Sequence, residues 1–231
     1  MAAWHAAYNL PMNSQTLTID IVSDVVCPWC YIGKRKLEAA LESAGASHLP
    51  AAVIRWHPFQ LNPDMPALGV PRKQYLEEKF GGPQRAAEIY ERVRAAGQAV
   101  GLQLNIDGIT RQPNTLAAHA LIAFAQQGDA DGNDIKERLL KAYFVENRFI
   151  GDPVVLADIA EEAGLSGSAA QAFVTDPEQL ALVAQADSHV RSLGINGVPF
   201  FIFNRAVTLS GAQDPAILLA AMQQASKAKF D

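Results

Sequence analysis

The sequence predicts an α/β fold in two halves, βαβ and αββα, with a large all-helical segment set between them. Three observations carry this reading. Apolar, β-branched runs at 17–22 and 52–57 flank a stretch of helical period, no convincing strand occurs from about 63 to 178, and two short apolar runs separated by turn residues lie near the end. The size suits such a fold. At 231 residues the chain can bury roughly 72% of the surface its unfolded form exposes, so its core needs no disulfide for support. With 49% hydrophobic and 19% charged residues it stands well away from disordered compositions.

In chain order, Leu17-Thr18-Ile19-Asp20-Ile21-Val22 reads as a strand that Ser23-Asp24 interrupts. From Pro28, which suits a first helical turn, Tyr31, Ile32, Leu37, Ala40 and Leu41 recur at helical spacing, and Gly45 is placed to end the helix. Ala52-Val53-Ile54-Arg55-Trp56-His57 is the next extended run. Residues 17–60 therefore form one βαβ unit with a right-handed crossover and a parallel sheet, whose active edge is the strand's carboxyl end. In the central region Ile89, Val93, Ala96 and Val100, then Leu116, Ala120 and Ala123 before Gly128, mark amphipathic helices. Asp152-Pro153, Asp176-Pro177 and Asp214-Pro215 each put a capping acceptor before a proline fit for the first helical position. The helix begun at Asp176 runs to Gly194. Pro199 to Asn204 and Ala206 to Leu209 then make a hairpin around Asn204-Arg205, and a last helix runs from Pro215 to about Lys227. This order is a thioredoxin fold interrupted between its halves. Residues 17–62 and 179–231 form the thioredoxin-like domain, 63–178 the helical insertion and 1–16 an N-terminal extension.

Charge and hydropathy exclude several functions. Nineteen basic against 24 acidic residues leave a net charge of −5, with no general attraction for nucleic acid or an anionic membrane. No apolar run approaches the roughly 20 residues that cross a bilayer. No Lys or Arg precedes Lys34, so the opening lacks the basic region of a secretory signal and a cytoplasmic location is expected.

The chemistry lies in Cys27-Pro28-Trp29-Cys30, the only two cysteines of the chain. Two cysteines placed at random fall at this separation roughly once in 100 times, so the pair asks for a cause. A thiol attacks a disulfide as its thiolate, which the free amides of a helix N-terminus stabilise. Cys27 is expected to carry that lowered thiol and to attack, while Cys30, one turn deeper, keeps a higher pKa and resolves the mixed disulfide. A zinc site would need a second Cys pair or a close His pair, and neither is present, so no metal is expected. Two inert buried cysteines would not require a helix start between them. Pro199, opening a strand after Gly197-Val198, has no amide to donate there, and a cis bond would rationalise it.

These residues resemble the DsbA-like thioredoxin family, and within it the FrnE-like cytoplasmic dithiol-disulfide oxidoreductases or isomerases. The resemblance rests on Ser23 to Gly33 around the cysteines, Phe59-Gln60-Leu61-Asn62-Pro63, Asn114-Thr115 with His119, Gly197-Val198-Pro199-Phe200-Phe201 and Ser210-Gly211-Ala212-Gln213. It implies a cis Val198–Pro199 bond beside Cys27, Val198 backbone pairing with an extended substrate or glutathione, and an insertion that shapes the substrate site. Pro28, Trp29, Val198, Asn114, His119 and Gln213 are then substrate-binding candidates. His119 is otherwise a structural histidine on an apolar helix face, His57 reads as structural, and Phe59 and Phe80 either line a groove or belong to the core. Many thioredoxin-fold enzymes carry a buried acid six residues before the attacking cysteine, where this chain has Ile21. Asp24 either takes over proton transfer or caps the turn before Cys27.

The function expected is disulfide exchange with protein or small-molecule disulfides and thiols, with glutathione as co-substrate and no other cofactor, by a monomer or homodimer. Two alternatives remain at this point. One is a glutathione-dependent isomerase or transferase resembling 2-hydroxychromene-2-carboxylate isomerase and the kappa-class transferases, where Ser commonly occupies the attacking position. The other is a holdase that binds without turnover.

Overall fold

A computed structural model describes residues 16–46, 49–128 and 131–227. All of the expected N-terminal extension except Thr16 lies outside them. The first strand, β1 (Thr16–Ser23), is followed by helix α1 (Pro28–Ala46) and strand β2 (Ala51–Pro58), which runs parallel to β1 with Ile21 beside Trp56 and Ser23 beside Pro58. The β-branched residues that favour an extended backbone also supply both cores. Leu17, Ile19 and Ile21 point into the main core, and Val22, of opposite parity, points into a second one with Phe59, Val190 and Ile195.

The inserted region carries α2 (Arg72–Phe80), α3 (Pro83–Gln98), α4 (Leu116–Gln127), α5 (Gly132–Phe144), α6 (Pro153–Glu162) and α7 (Gly167–Thr175). It also holds a two-residue antiparallel ladder between β3 (Val70–Pro71) and β4 (Arg111–Gln112), too short to show any alternation in sequence. Helix α8 (Pro177–Ser192) starts at its expected cap, where the Asp176 carboxylate accepts from the Glu178 amide. The chain closes with β5 (Phe200–Phe203), β6 (Val207–Ser210) and α9 (Pro215–Lys227), giving a four-stranded sheet in the order β2-β1-β5-β6. The hairpin turn needs left-handed backbone at both central residues, and Asn204 and Arg205 adopt it with φ of 47° and 56°. Asn204 also accepts from the Thr18 amide at 2.8 Å and donates to the Ala225 carbonyl at 3.2 Å, which pins the turn to β1 and α9. Among the described residues no helix is long and apolar enough to cross a membrane.

Two sets of contacts, among others, dock the helical region. The edge of β2 at Trp56 is closed by the Gln126 amide of α4, which accepts from the Trp56 N–H at 2.7 Å and donates to its carbonyl at 3.0 Å. Glu137 of α5 receives the Tyr31 hydroxyl at 2.8 Å, the Lys34 ammonium at 2.8 Å and the Arg35 guanidinium, all from α1.

Candidate active site

The carboxyl end of β1 feeds a tight turn, in which the Cys27 amide donates to the Asp24 carbonyl at 3.4 Å, and the first helical turn follows with the Cys30 amide on the Cys27 carbonyl at 3.0 Å. Pro28 is tolerated because an amide in this first turn has no helical partner. This local geometry sets Cys27 just before α1 and Cys30 inside its first turn, with relative exposures of 5% and 2%. Trp29 between them is 41% exposed. Opposite, the Val198 carbonyl stands 3.8 Å from the Cys27 sulfur, and the Val198–Pro199 bond is cis. The Pro199 carbonyl accepts from the Gly211 amide at 2.8 Å, which fastens this strand entry to the turn after β6.

Behind the sulfurs lies a fully buried charge cluster. The Asp24 carboxylate accepts from the Leu61 amide at 2.8 Å and meets His119 Nε2 at 3.3 Å. Burial by itself would raise this carboxyl, but the His119 hydrogen bond and charge, the Leu61 amide and the charge of Lys136 hold it below its ordinary value. Lys136, on α5, is wholly buried, with its ammonium 5.1 Å from the centre of the Trp56 ring and no hydrogen-bond partner among the described residues. Its burial pushes it down to about 8 against the opposing pull of Cys30, Asp24 and Cys27.

The two thiols sit one helical turn apart, Cys27 with its S–H toward the Val198 carbonyl at 3.8 Å, and the charge on either one acts on the other. The neighbouring Cys30, then burial, then the charges on Cys30 and Asp24 push Cys27 well above the ordinary thiol. For Cys30, burial alone would raise the thiol. The neighbouring Cys27, the Lys136 charge and the Asp24 backbone outweigh it and lower it. In the resting dithiol this reverses the sequence expectation that Cys27 carries the lowered thiol. The helix-terminus amide does favour an anion at Cys27, but Asp24 opposes it from behind while Lys136 supports the charge one turn deeper.

The structure thus brings together Cys27, Cys30, Val198, Pro199, Asp24 and His119, with half-buried Pro28 and exposed Trp29 beside them. Other candidates have their polar groups committed elsewhere. The Asn114 amide donates to the Met65 carbonyl at 2.6 Å and accepts from Gln60 and from the Leu116 amide, so it ties the 59–63 segment to the start of α4. Gln213 donates to the Ser210 carbonyl at 2.7 Å and braces the turn that holds Pro199. His57 pairs with Asp20 at 2.8 Å, and Phe59 is core, covered by the Arg191 guanidinium 4.0 Å from its ring centre. Among the described residues no three His, Cys, Asp or Glu side chains are placed to hold a metal ion.

Lys136 is the functional candidate that sequence reasoning passed over, although a signal exists. Its neighbours at helical spacing are Gly132, Leu139, Leu140 and Tyr143, all buried, so the period of α5 points this lysine inward.

The comparisons agree with this fold. The chain is 27% identical to the probable DsbA oxidoreductase SCO1869 of Streptomyces coelicolor, with a TM-score of 0.81 over 93% of this chain and 92% of that one. The cytosolic disulfide reductase DsbM of Pseudomonas aeruginosa, solved with GSH, shares the fold at a TM-score of 0.61 and 21% identity over 90% and 95% of the two chains. The Bacillus subtilis (strain 168) protein YwbO is 26% identical over 219 residues, 93% of this chain and the whole of that protein. Residues 18–223 match the DSBA-like thioredoxin domain, and the chain belongs to that family.

Proposed function

We propose that this protein is a thiol-disulfide oxidoreductase or isomerase in which Cys27 attacks a substrate disulfide and Cys30 resolves the product. The observation that carries it is the pair of cysteines at the start of α1, with the Cys27 sulfur 3.8 Å from the Val198 carbonyl. Cys27 lies on the side of exposed Trp29 and of the Val198–Pro199 backbone, whose edge suits strand-like pairing with an extended peptide or with glutathione.

In the reducing direction the Cys27 proton passes to the neighbouring Cys30 sulfur as the Cys27 thiolate attacks one substrate sulfur. The substrate S–S bond breaks, its first thiolate leaves and takes up a proton, and Cys27 is left in a mixed disulfide. Cys30 then loses its proton and attacks the Cys27 sulfur. The second substrate thiolate departs and is protonated, so the substrate gains two electrons and the protein holds a Cys27–Cys30 disulfide. The reverse sequence oxidises a dithiol, and exchange among sulfurs of one client isomerises it. Protein and low-molecular-weight disulfides in the cytoplasm are the proposed substrates, with glutathione as the thiol that regenerates the enzyme. The chemistry needs no metal or nucleotide. A resolving cysteine inside the helix favours this reading over a glutathione-dependent isomerase, which activates glutathione without a second thiol.

Insulin reduction by glutathione should be accelerated by the wild type and abolished in Cys27→Ser/Cys30→Ser. Cys30→Ser alone should accumulate a mixed disulfide at Cys27, visible by mass spectrometry. Absence of adduct with insulin, oxidised glutathione and a model peptide disulfide would exclude the exchange mechanism.

A further inference from the structure

Lys136 belongs to no part of the exchange chemistry as a thioredoxin-like half would supply it, since it comes from the insertion. Its side chain is 0% exposed and its ammonium has no hydrogen-bond acceptor among the described residues, only the face of Trp56. Burial of a cation without such partners is costly, and an apolar side chain of that length would fill the space without the penalty. A counter-charge is therefore required nearby. The charged and titratable groups around the ammonium are Cys30 and Lys34 on α1, Cys27 before it, and Asp24 in the turn after β1, while Trp56 on β2 carries no charge and His119 on α4 faces Asp24. Asp24 already holds the Leu61 amide and His119, whereas Lys136 is the cation that acts on Cys30.

Resting on the exchange reading above, we infer that Lys136 is a positioning residue that holds the Cys30 sulfur ionised while Cys27 is bonded to substrate, and thereby sets the rate of resolution. In the mixed disulfide the Cys27 sulfur is bonded to substrate and has no proton or charge to share with Cys30. The Lys136 ammonium remains. Cys30 releases its proton to the departed substrate thiolate or to water, attacks the Cys27 sulfur, and expels the second substrate thiolate, and Lys136 begins and ends the step as the same ammonium. The insertion thus completes the redox centre from behind.

The test separates this inference from the exchange reading because its first arm uses no substrate. In a Cys27→Ser background Cys30 is the lone thiol, and its titration is followed by the ultraviolet absorbance of the thiolate. Lys136→Met should move the midpoint up by about one pH unit or more, a tenfold loss of thiolate at pH values below both midpoints, and single-turnover resolution in the otherwise wild-type chain should slow at such a pH by about tenfold with a smaller change in the first attack. An unchanged midpoint, or a shifted midpoint with unchanged resolution, overturns the inference, whereas failure of turnover with every disulfide would sink the exchange reading alone. A second arm needs no variant at Lys136. In lysine-labelled protein observed by NMR, the Lys136 resonance should titrate at higher pH in the reduced than in the oxidised form, since oxidation removes the thiolate it faces, and equal midpoints overturn the proposal.

Discussion

A single ammonium inside a protein of this size has a measurable effect on folding. Lys136 is held at about 8 by burial, while the same group in the unfolded chain titrates near its ordinary value of about 10.4. Between those pH values the unfolded state binds more protons, so stability rises with pH, and below about 8 the full cost, about 3 kcal/mol, is carried. Lys136→Met should accordingly be more stable than wild type at pH 7 by up to about that amount, with the gap closing as pH approaches 10. Urea denaturation of the reduced proteins at both pH values measures it. A destabilised variant at pH 7 would mean that attraction to Asp24 and Cys30 exceeds the burial cost. Asp24 carries the opposite sign. Its lowered carboxyl stabilises the fold above the unfolded value near 3.9, and that contribution is lost as pH falls through the folded value.

Helix α1 owes its role to how closely it meets the Pro199 segment. Gly33 is needed for proximity, since a Cβ there would stand 2.9 Å from Pro199 Cγ and 3.4 Å from Phe201 Cζ. Gly33→Ala should therefore displace Pro199 from beside Cys27, lower stability by about 1–3 kcal/mol through overpacking, and slow insulin reduction more than Gly45→Ala, where a Cβ meets nothing within 4 Å. Equal rates for the two variants would show that the Pro199 position does not govern exchange. The elements around this contact were legible in the sequence because each carries its own local cue. β1 and β2 are β-branched runs, α6, α8 and α9 each follow an Asp-Pro pair, and the hairpin has Asn204 at its turn. Helix α2 has no such cue: only Arg72 and Tyr75 are fully buried, Leu76 and Phe80 pack partly against a small side cluster, and no side chain caps its start at Pro71. The sulfur pair and Pro199 were likewise legible, whereas the charge balance between the thiols was not, because Lys136 reaches them across more than 100 positions of chain.

At the scale of the whole molecule, the two halves and the insertion are joined through α5, whose neighbouring residues Lys136 and Glu137 act in different directions. Lys136 points into the redox centre, and Glu137 clasps α1 through Tyr31, Lys34 and Arg35. The Lys34 side chain is only 3% exposed, so its pairing with Glu137 and Glu38 is shielded more than a surface ion pair is. Glu137→Ala would leave Tyr31 without its acceptor and Lys34 with one carboxylate, at a cost of about 1–3 kcal/mol. Since the same helix places Lys136, loosening the clasp should also admit water to its ammonium and weaken its hold on Cys30. In a Cys27→Ser background the Cys30 titration midpoint should then rise in Glu137→Ala, by less than in Lys136→Met. Glu146→Ala, which removes the partner of Lys141 just beyond the other end of α5, should change neither stability nor midpoint appreciably. A midpoint that stays fixed in Glu137→Ala while stability falls would show that the clasp holds the insertion in place without tuning the thiols.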